Sequence, residues 1–447
     1  MKGNRQCPSA QTNFFDDRIA LHHYHNQTMV LDYDNGVVIK FNEVGSFIWD
    51  LFASPITIKE VAQLIATEYE VSVDDALQDV LSFVTKYQEE NNLFISPDQT
   101  NVYSQKKKRL DESIYGQLEE IGFEYTIPVM VEIELTNTCN LRCIHCSVIY
   151  NSQRTNIRRM TTSEIYSVID QLEAIGCFEI TFTGGEIFTR GDTLDIIRYA
   201  DQKGFGINLL STATLLSQEQ LDELAKLTLN NFQVSIYGPT ADIHDSVTRI
   251  SGSFNKSLKN IHALISRGVH VTLACVVMNI NYSTYQDVQQ LAKNIGADCT
   301  IGYPIRARDD GNPDTHELRL SHEELHHLVR SNQSRFCKSY KKDLDAPICH
   351  AGRVIASISS EGDVFPCILF PMRVGNLIKS DFEHIWNNSP ELVKYRNLQL
   401  KDTYACKDCS LLEHCPICPG LALLEEGDML APAQINCDIA HSISTVL

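Results

Sequence analysis

No stretch of the 447-residue chain is apolar over the length a bilayer crossing needs. The opening residues, Met1-Lys2-Gly3-Asn4-Arg5-Gln6-Cys7, lack the apolar core of a secretory signal. Basic residues are scarce: 38 Lys and Arg stand against 57 Asp and Glu, a formal charge of −19. Phosphate backbones are bound by Lys and Arg, so this balance disfavours nucleic acid as a partner. A cytoplasmic protein with no membrane partner is expected. In that compartment fifteen cysteines are poor candidates for structural disulfides. Disorder is not indicated either, since 43% of residues are apolar and 21% charged. At about 150 residues per domain, the length suggests roughly three domains.

The cysteines then need another use. Cys139, Cys143 and Cys146 have the spacing C-x3-C-x2-C, directly after the strand-like run Val129-Met130-Val131-Glu132-Ile133-Glu134-Leu135. Three thiols on one loop can converge on a single inorganic centre and leave one coordination position open. A fully ligated iron–sulfur cluster stores an electron, whereas one with an open iron can bind and activate a small molecule. The competing reading is a structural zinc knuckle, whose ligands usually come as C-x2-C pairs closing four positions.

From residue 128 onward, strands and helices alternate. Strand-like runs begin near Val129, Glu179, Gly206, Asn231, His270 and Asp298, and capping boxes at Thr161-x-x-Glu164 and Ser217-x-x-Gln220 open two of the helices. Six β/α units imply an α/β fold with a parallel sheet and right-handed crossovers. Chemistry-bearing residues fall at successive strand ends, where such sheets place their sites. Thr183-Gly184-Gly185-Glu186 follows the second strand, and Ser211-Thr212-Ala213-Thr214 the third. Ser235-Ile236-Tyr237-Gly238 ends the fourth, with His244-Asp245 and Arg249 beyond it. Cys177, Cys275 and Cys299 lie in or beside strands and read as buried small apolar residues.

This arrangement resembles the radical S-adenosylmethionine (SAM) enzymes, whose fold is a partial (β/α)6 TIM barrel. The resemblance implies that Cys139, Cys143 and Cys146 hold a [4Fe–4S] cluster whose open iron takes the amino and carboxylate groups of SAM. His145 would lie near the adenine. Gly184 and Gly185 would let backbone approach the ligand, and Glu186 would accept the SAM ammonium. Ser211 and Thr212 would contact the ribose, Ser235 would supply a polar contact, and Arg249 would approach the methionine carboxylate. Three departures are visible: Ile187 stands where the family often has Pro, Thr212-Ala213 stand where relatives often have Asn-Gly, and Tyr237 replaces an Asp.

Ahead of the barrel, Asp34-Asn35-Gly36 separates two extended runs, a hairpin signal. Three helical stripes follow, the second opened by Thr57-x-x-Glu60 and the third by Ser72. Hairpin and three helices suggest a winged helix, but residues 1–105 hold six Lys and Arg against fifteen Asp and Glu, a net of −9. DNA is therefore disfavoured. The segment resembles PqqD-like recognition domains, which capture a leader peptide as an added strand. Val37–Phe41 and the third helix would line that groove. Residues 106–127, with Lys106-Lys107-Lys108-Arg109, read as a solvated linker.

Seven cysteines occupy the 89 residues from Cys349 to Cys437, including the paired C-x2-C units Cys406/Cys409 and Cys415/Cys418. A zinc ribbon would use four and leave three idle. Their order resembles the SPASM domain of radical SAM enzymes, with x2 before Cys418 where the family usually has x3. The resemblance implies one auxiliary cluster on Cys406, Cys409, Cys415 and Cys437, and another on Cys349, Cys367 and Cys418. The fourth position of the second is either filled by Cys337 or open to a substrate thiolate.

The expected domains are 1–105 (PqqD-like), 106–127 (linker), 128–315 (radical SAM barrel), 316–348 (a bridging region) and 349–447 (SPASM). Together they resemble maturases of ribosomally made peptides, and Gly184-Gly185-Glu186-Ile187-Phe188 points to the sactipeptide and ranthipeptide enzymes. That implies thioether formation: a 5′-deoxyadenosyl radical takes hydrogen from a peptide carbon, and a Cys sulfur bonds to that carbon. SAM and [4Fe–4S] clusters would be the cofactors, with a precursor peptide and a flavodoxin or ferredoxin as partners. Alternatives are a carbon–carbon crosslink, epimerisation, decarboxylation, a sulfatase-maturase-like oxidase, or a zinc-binding transcription regulator.

Overall fold

The computed structural model describes residues 19–24, 27–32, 36–52, 56–91, 112–147, 158–333 and 342–446. Asp34, Asn35, the Lys106–Arg109 run and Cys337 lie outside the described residues. The chain divides into one unit of residues 1–121 with 173–176, and a second of 122–172 with 177–447.

In the first unit, β1 (Ile19–Tyr24), β2 (Gln27–Asp32) and β3 (Val37–Lys40) form an antiparallel sheet in that order. The predicted hairpin is β2–β3: Leu31 faces Val38, and Gly36, at φ 65°, donates to the Asp32 carbonyl at 2.9 Å. Strand β1 was not predicted, because Ile-Ala-Leu-His-His-Tyr does not alternate. Helices α1 (Glu43–Leu51), α2 (Ile58–Glu68) and α3 (Val73–Asn91) follow, with Asn42 and the Thr57–Glu60 box capping the first two. Ile48, Val61, Ile65 and Val80 close a core between them.

The expected linker is only partly one. Residues Glu112–Tyr125 form a further helix, α4, with Ile114 and Leu118 buried one turn apart. Gly116 and Gly122 weaken the helical signal there, and tertiary burial overrides it. From α4 the Gln117 amide reaches β3: it accepts from the Val38 N–H at 3.1 Å and donates to the Gly36 carbonyl at 3.1 Å.

The second unit is built on a nine-stranded sheet. Six parallel strands lie in chain order: β4 (Met130–Thr136), β5 (Glu179–Gly184), β6 (Gly206–Ser211), β7 (Leu229–Ser235), β8 (Val271–Val276) and β9 (Asp298–Gly302). Each begins within two residues of the predicted start. The crossovers carry α5 (Thr162–Ala174), α6 (Thr193–Gln202), α7 (Gln218–Leu224), α8 (Ala241–Thr248), α9 (Ser253–Ser266) and α10 (Tyr285–Ile295). This is the predicted α/β partial barrel. Val131, Ile133 and Leu135 of β4 are fully buried, which by strand alternation puts Glu132 and Glu134 together on the other face.

The cysteine-rich tail extends the same sheet. Strand β10 (Ile355–Ile358) pairs parallel with β4, and β11 (Asp363–Phe365) and β12 (Gly375–Asn376) continue it antiparallel. The bridging region contains α11 (His322–Ser331), whose Leu325 and Val329 pack on Ile435, Ile439 and Ile443 near the carboxyl terminus.

Candidate metal centres and cofactor site

Beyond Thr136, the carboxyl end of β4 runs into the Cys139–Cys146 loop, and the neighbouring strand end holds it. Gly185 donates its N–H to the Thr136 carbonyl at 2.7 Å, and Glu186 to that of Thr138 at 2.9 Å. A Cβ on Gly184 would lie 2.2 Å from the Thr136 oxygen, and one on Gly185 2.3 Å from that of Thr138. The glycines thus serve a close approach, as expected, but the group approached is the stem of the thiol loop.

The loop's far side docks on the end of α8. Arg142 and Ile144 donate N–H to the carbonyls of Thr248 and Val247, at 2.9 and 3.1 Å, satisfying acceptors the helix itself leaves open. Arg249, the αL cap at φ 59°, is exposed directly beside this junction. Two arginines after β9 brace the loop's exit: Arg308 donates to the Cys146 carbonyl at 2.8 Å and Arg306 to the Ser147 hydroxyl at 2.7 Å. Burial pushes the Cys143 thiol up to about 12, with Cys146 and Cys139 adding to it.

His145 is half-buried, and desolvation lowers its pKa to about 4, so the ring is neutral. It meets Tyr237 edge-on at 4.7 Å. The Tyr237 hydroxyl in turn interacts with Ser235 and Cys143, and burial raises its pKa well above the ordinary value. The residue that replaces the family's Asp therefore packs against the thiol loop. His244 lies inside α8 and accepts the Tyr237 backbone N–H on Nδ1 at 3.1 Å.

Glu186 is fully buried, with both carboxylate oxygens occupied. It accepts the Ser211 hydroxyl at 2.8 and 3.0 Å, the Thr212 hydroxyl at 2.5 Å, and the N–H groups of Thr212 and Phe188 at 2.6 and 3.0 Å. The structure brings these three predicted residues together. The Ser211 and Thr212 hydroxyls are committed to the carboxylate, whereas the sequence pointed them at a ribose.

The tail thiols separate into two sets. Burial raises the pKa of Cys406, Cys415 and Cys437, and neighbouring thiols of the group Cys406, Cys409 and Cys437 add to it; burial likewise raises Cys367 and Cys418, with Cys349 adding to both. Cys139, Cys349, Cys367 and Cys409 share a local geometry: each sulfur accepts a backbone N–H from two residues on, at 3.4–3.5 Å. Such bonds stabilise a thiolate. They fit sulfurs that ligate iron, whereas the buried Cys177 thiol itself donates to the Glu179 carbonyl at 3.4 Å. Lys342 donates to the Cys415 carbonyl, and its positive charge acts on thiols of both sets.

A cavity of about 550 Å³ is lined by Cys367, Glu134, Glu361, Arg306 and Arg373, among others. Arg306 ties it to the loop of Cys146, and Cys367 ties it to the three-thiol set. Burial raises Glu132 and Glu134 to about 7; for Glu134 the charges of Asp309 and Glu361 add to this and Arg306 opposes it. Only their alternation in β4 marks these two lumenal carboxylates in the sequence.

Residues 133–293 match the Radical SAM superfamily, residues 27–92 the coenzyme PQQ synthesis protein D (PqqD) family, and residues 349–410 the SPASM iron–sulfur cluster-binding domain. The AdoMet-dependent heme synthase of Methanosarcina barkeri is 27% identical over 335 residues, 68% of this chain and 94% of that protein. The antilisterial bacteriocin subtilosin biosynthesis protein AlbA of Bacillus subtilis is 28% identical over 275 residues, 59% of this chain and 61% of AlbA. The crystal structure of Streptococcus suis SuiB bound to precursor peptide SuiA superposes with a TM-score of 0.64 at 14% identity, covering 94% of this chain and 98% of SuiB. The cofactors are SAM with a [4Fe–4S] cluster in the barrel, and auxiliary iron–sulfur clusters in the SPASM domain. No helix among the described residues is long and apolar enough to cross a membrane. The chain is a radical SAM/SPASM enzyme with an N-terminal PqqD-like domain, the domain set of the maturases of ribosomally made peptides.

Proposed function

We propose that this enzyme installs thioether crosslinks, Cys sulfur to carbon, in a ribosomally made precursor peptide in the cytoplasm. Cys139, Cys143 and Cys146 hold the SAM cluster; Cys406, Cys409, Cys415 and Cys437 hold one auxiliary cluster, and Cys349, Cys367 and Cys418 another. One observation carries the reading: the three-thiol set opens, through Cys367, onto the cavity that Arg306 links to the SAM loop. A cluster with three protein thiolates can take a substrate thiolate as its fourth ligand there.

When bound, SAM and the cluster held by Cys139, Cys143 and Cys146 would supply the radical chemistry that removes hydrogen from a peptide carbon, and the auxiliary clusters held by the tail cysteines would supply an acceptor for the surplus electron. The protein's own part is placement. Glu186, Ser211 and Thr212 form the floor on which SAM lies, with Gly184 and Gly185 holding the loop stem. His145, Ser235 and Arg249 border the same loop. The leader peptide adds to β3 and lies against α3, raising the effective concentration of the core peptide. A flavodoxin or ferredoxin supplies the electron.

The test is iron and acid-labile sulfide per chain on anaerobically prepared protein, with mass spectrometry of the modified peptide. About twelve irons are expected, falling by about four in the Cys139/Cys143/Cys146→Ala variant. The peptide should lose two hydrogens per crosslink and one alkylatable thiol with each. Loss of hydrogens with every thiol still alkylatable would show a carbon–carbon crosslink instead. Zinc without labile sulfide would end the radical reading.

A further inference from the structure

Tyr395, in the helix Pro390–Arg396, is 4% exposed, and its ring packs edge-on against Phe370 at 4.9 Å. Its hydroxyl is buried and makes no well-formed hydrogen bond among the described residues, although the Cys349 sulfur is near enough to act on it. An orphaned buried hydroxyl costs about 1–3 kcal/mol, and such a group in a well-packed site asks for an explanation. The polar groups around it are thiols: Cys349 foremost, then Cys418 and Cys367. No role in the reaction described above uses Tyr395.

We propose that the Tyr395 hydroxyl donates a hydrogen bond to the Cys349 sulfur when Cys349, Cys367 and Cys418 carry their cluster, and so makes that cluster easier to reduce. This rests on the three-thiol assignment above. A phenol is a donor whose natural acceptor here is a thiolate, and iron binding turns the Cys349 thiol into one. Donating to sulfur withdraws charge from the iron–thiolate unit, which stabilises the more negative, reduced state. The phenol is assigned here as a donor to that sulfur and not as a fourth ligand. Tyr395 is therefore a positioning and tuning residue. The cluster it tunes is the one that borders the cavity and is best placed to take the surplus electron of bond formation.

The experiment uses the full chain, reconstituted anaerobically, with no peptide required. Tyr395→Phe keeps the ring and its contact with Phe370 while removing only the hydroxyl. Iron and sulfide should stay at the wild-type level. In a redox titration followed by electron paramagnetic resonance, one auxiliary signal should become about tenfold harder to reduce at fixed potential, ~59 mV for one electron. The signal concerned is the one that disappears in Cys349/Cys367→Ala. An unshifted potential with full iron overturns the proposal, and so does loss of iron in Tyr395→Phe, which would mark a ligand. If Cys349/Cys367→Ala loses no iron, the three-thiol assignment itself fails.

Discussion

The Thr212 hydroxyl and the Thr212 backbone N–H both donate to a single oxygen of Glu186, at 2.5 and 2.6 Å. With Ser211 and Phe188 on the same carboxylate, the end of β6 is tied to the end of β5 through one buried charge satisfied by donors alone. Glu186→Gln is the informative change. Its amide nitrogen must face a donor in either orientation, leaving a buried clash where an acceptor stood. We expect a loss of about 1–3 kcal/mol in denaturant unfolding and weaker SAM binding by calorimetry. Unchanged stability would mean the network relaxes at no cost.

The approach of Gly185 to the Thr138 carbonyl yields a second prediction. A methyl group 2.3 Å from a backbone oxygen cannot be housed by side-chain motion, so Gly185→Ala must push the stem of the thiol loop aside. About four irons should be lost on reconstitution, matching the loss in the Cys139/Cys143/Cys146→Ala variant. Full iron content would show that the loop tolerates the shift.

What could be read from the sequence was local. Cysteine spacing, the Gly-Gly-Glu turn and the Asn-Gly hairpin each carry their signal within a few residues, and six strand starts follow from apolar runs. What could not be read depends on partners brought from far along the chain. Arg308 reaches Cys146 across 162 residues, and Gln117 reaches Val38 across 79. Strand β10 joins β4 from beyond the whole barrel, a pairing no local pattern announces. Tyr395 and Glu134 are ordinary in sequence and unusual only in what surrounds them.

Gln117 marks the face of β3 that a leader strand would use. The Val38 N–H turns away from β2 and donates to the Gln117 amide, so it belongs to the outer edge. Val38→Pro removes that donor while leaving pairing to β2 at Ile39 and Val37 in place. Leader-peptide affinity, by fluorescence anisotropy, should fall at least tenfold, with the far-ultraviolet circular dichroism unchanged. Gln117→Ala should do the opposite and tighten the leader severalfold, since a competitor for the edge is removed. Equal affinity in both variants would place the leader elsewhere.

The two carboxylates on the lumenal face of β4 set a pH dependence whose sign is fixed by their surroundings. Burial raises both to about 7, so the folded protein holds protons there that the unfolded chain releases near 4.5. Between those values the native state binds more protons than the unfolded state, and stability falls as pH rises. For Glu134 alone the difference amounts to at most on the order of 3 kcal/mol. Unfolding midpoints of anaerobic protein should therefore decline from pH 5 to pH 7 and level off above it. In Glu134→Gln, which cannot ionise, the decline should be visibly shallower and the midpoint at pH 8 higher than in the wild type. Because Glu134 lines the cavity with Cys367 and Arg306, the same variant should also lose any peptide turnover that rises as this carboxyl ionises near pH 7. A wild-type pH profile in both stability and turnover would show that Glu134 stays ionised, with Arg306 outweighing its burial.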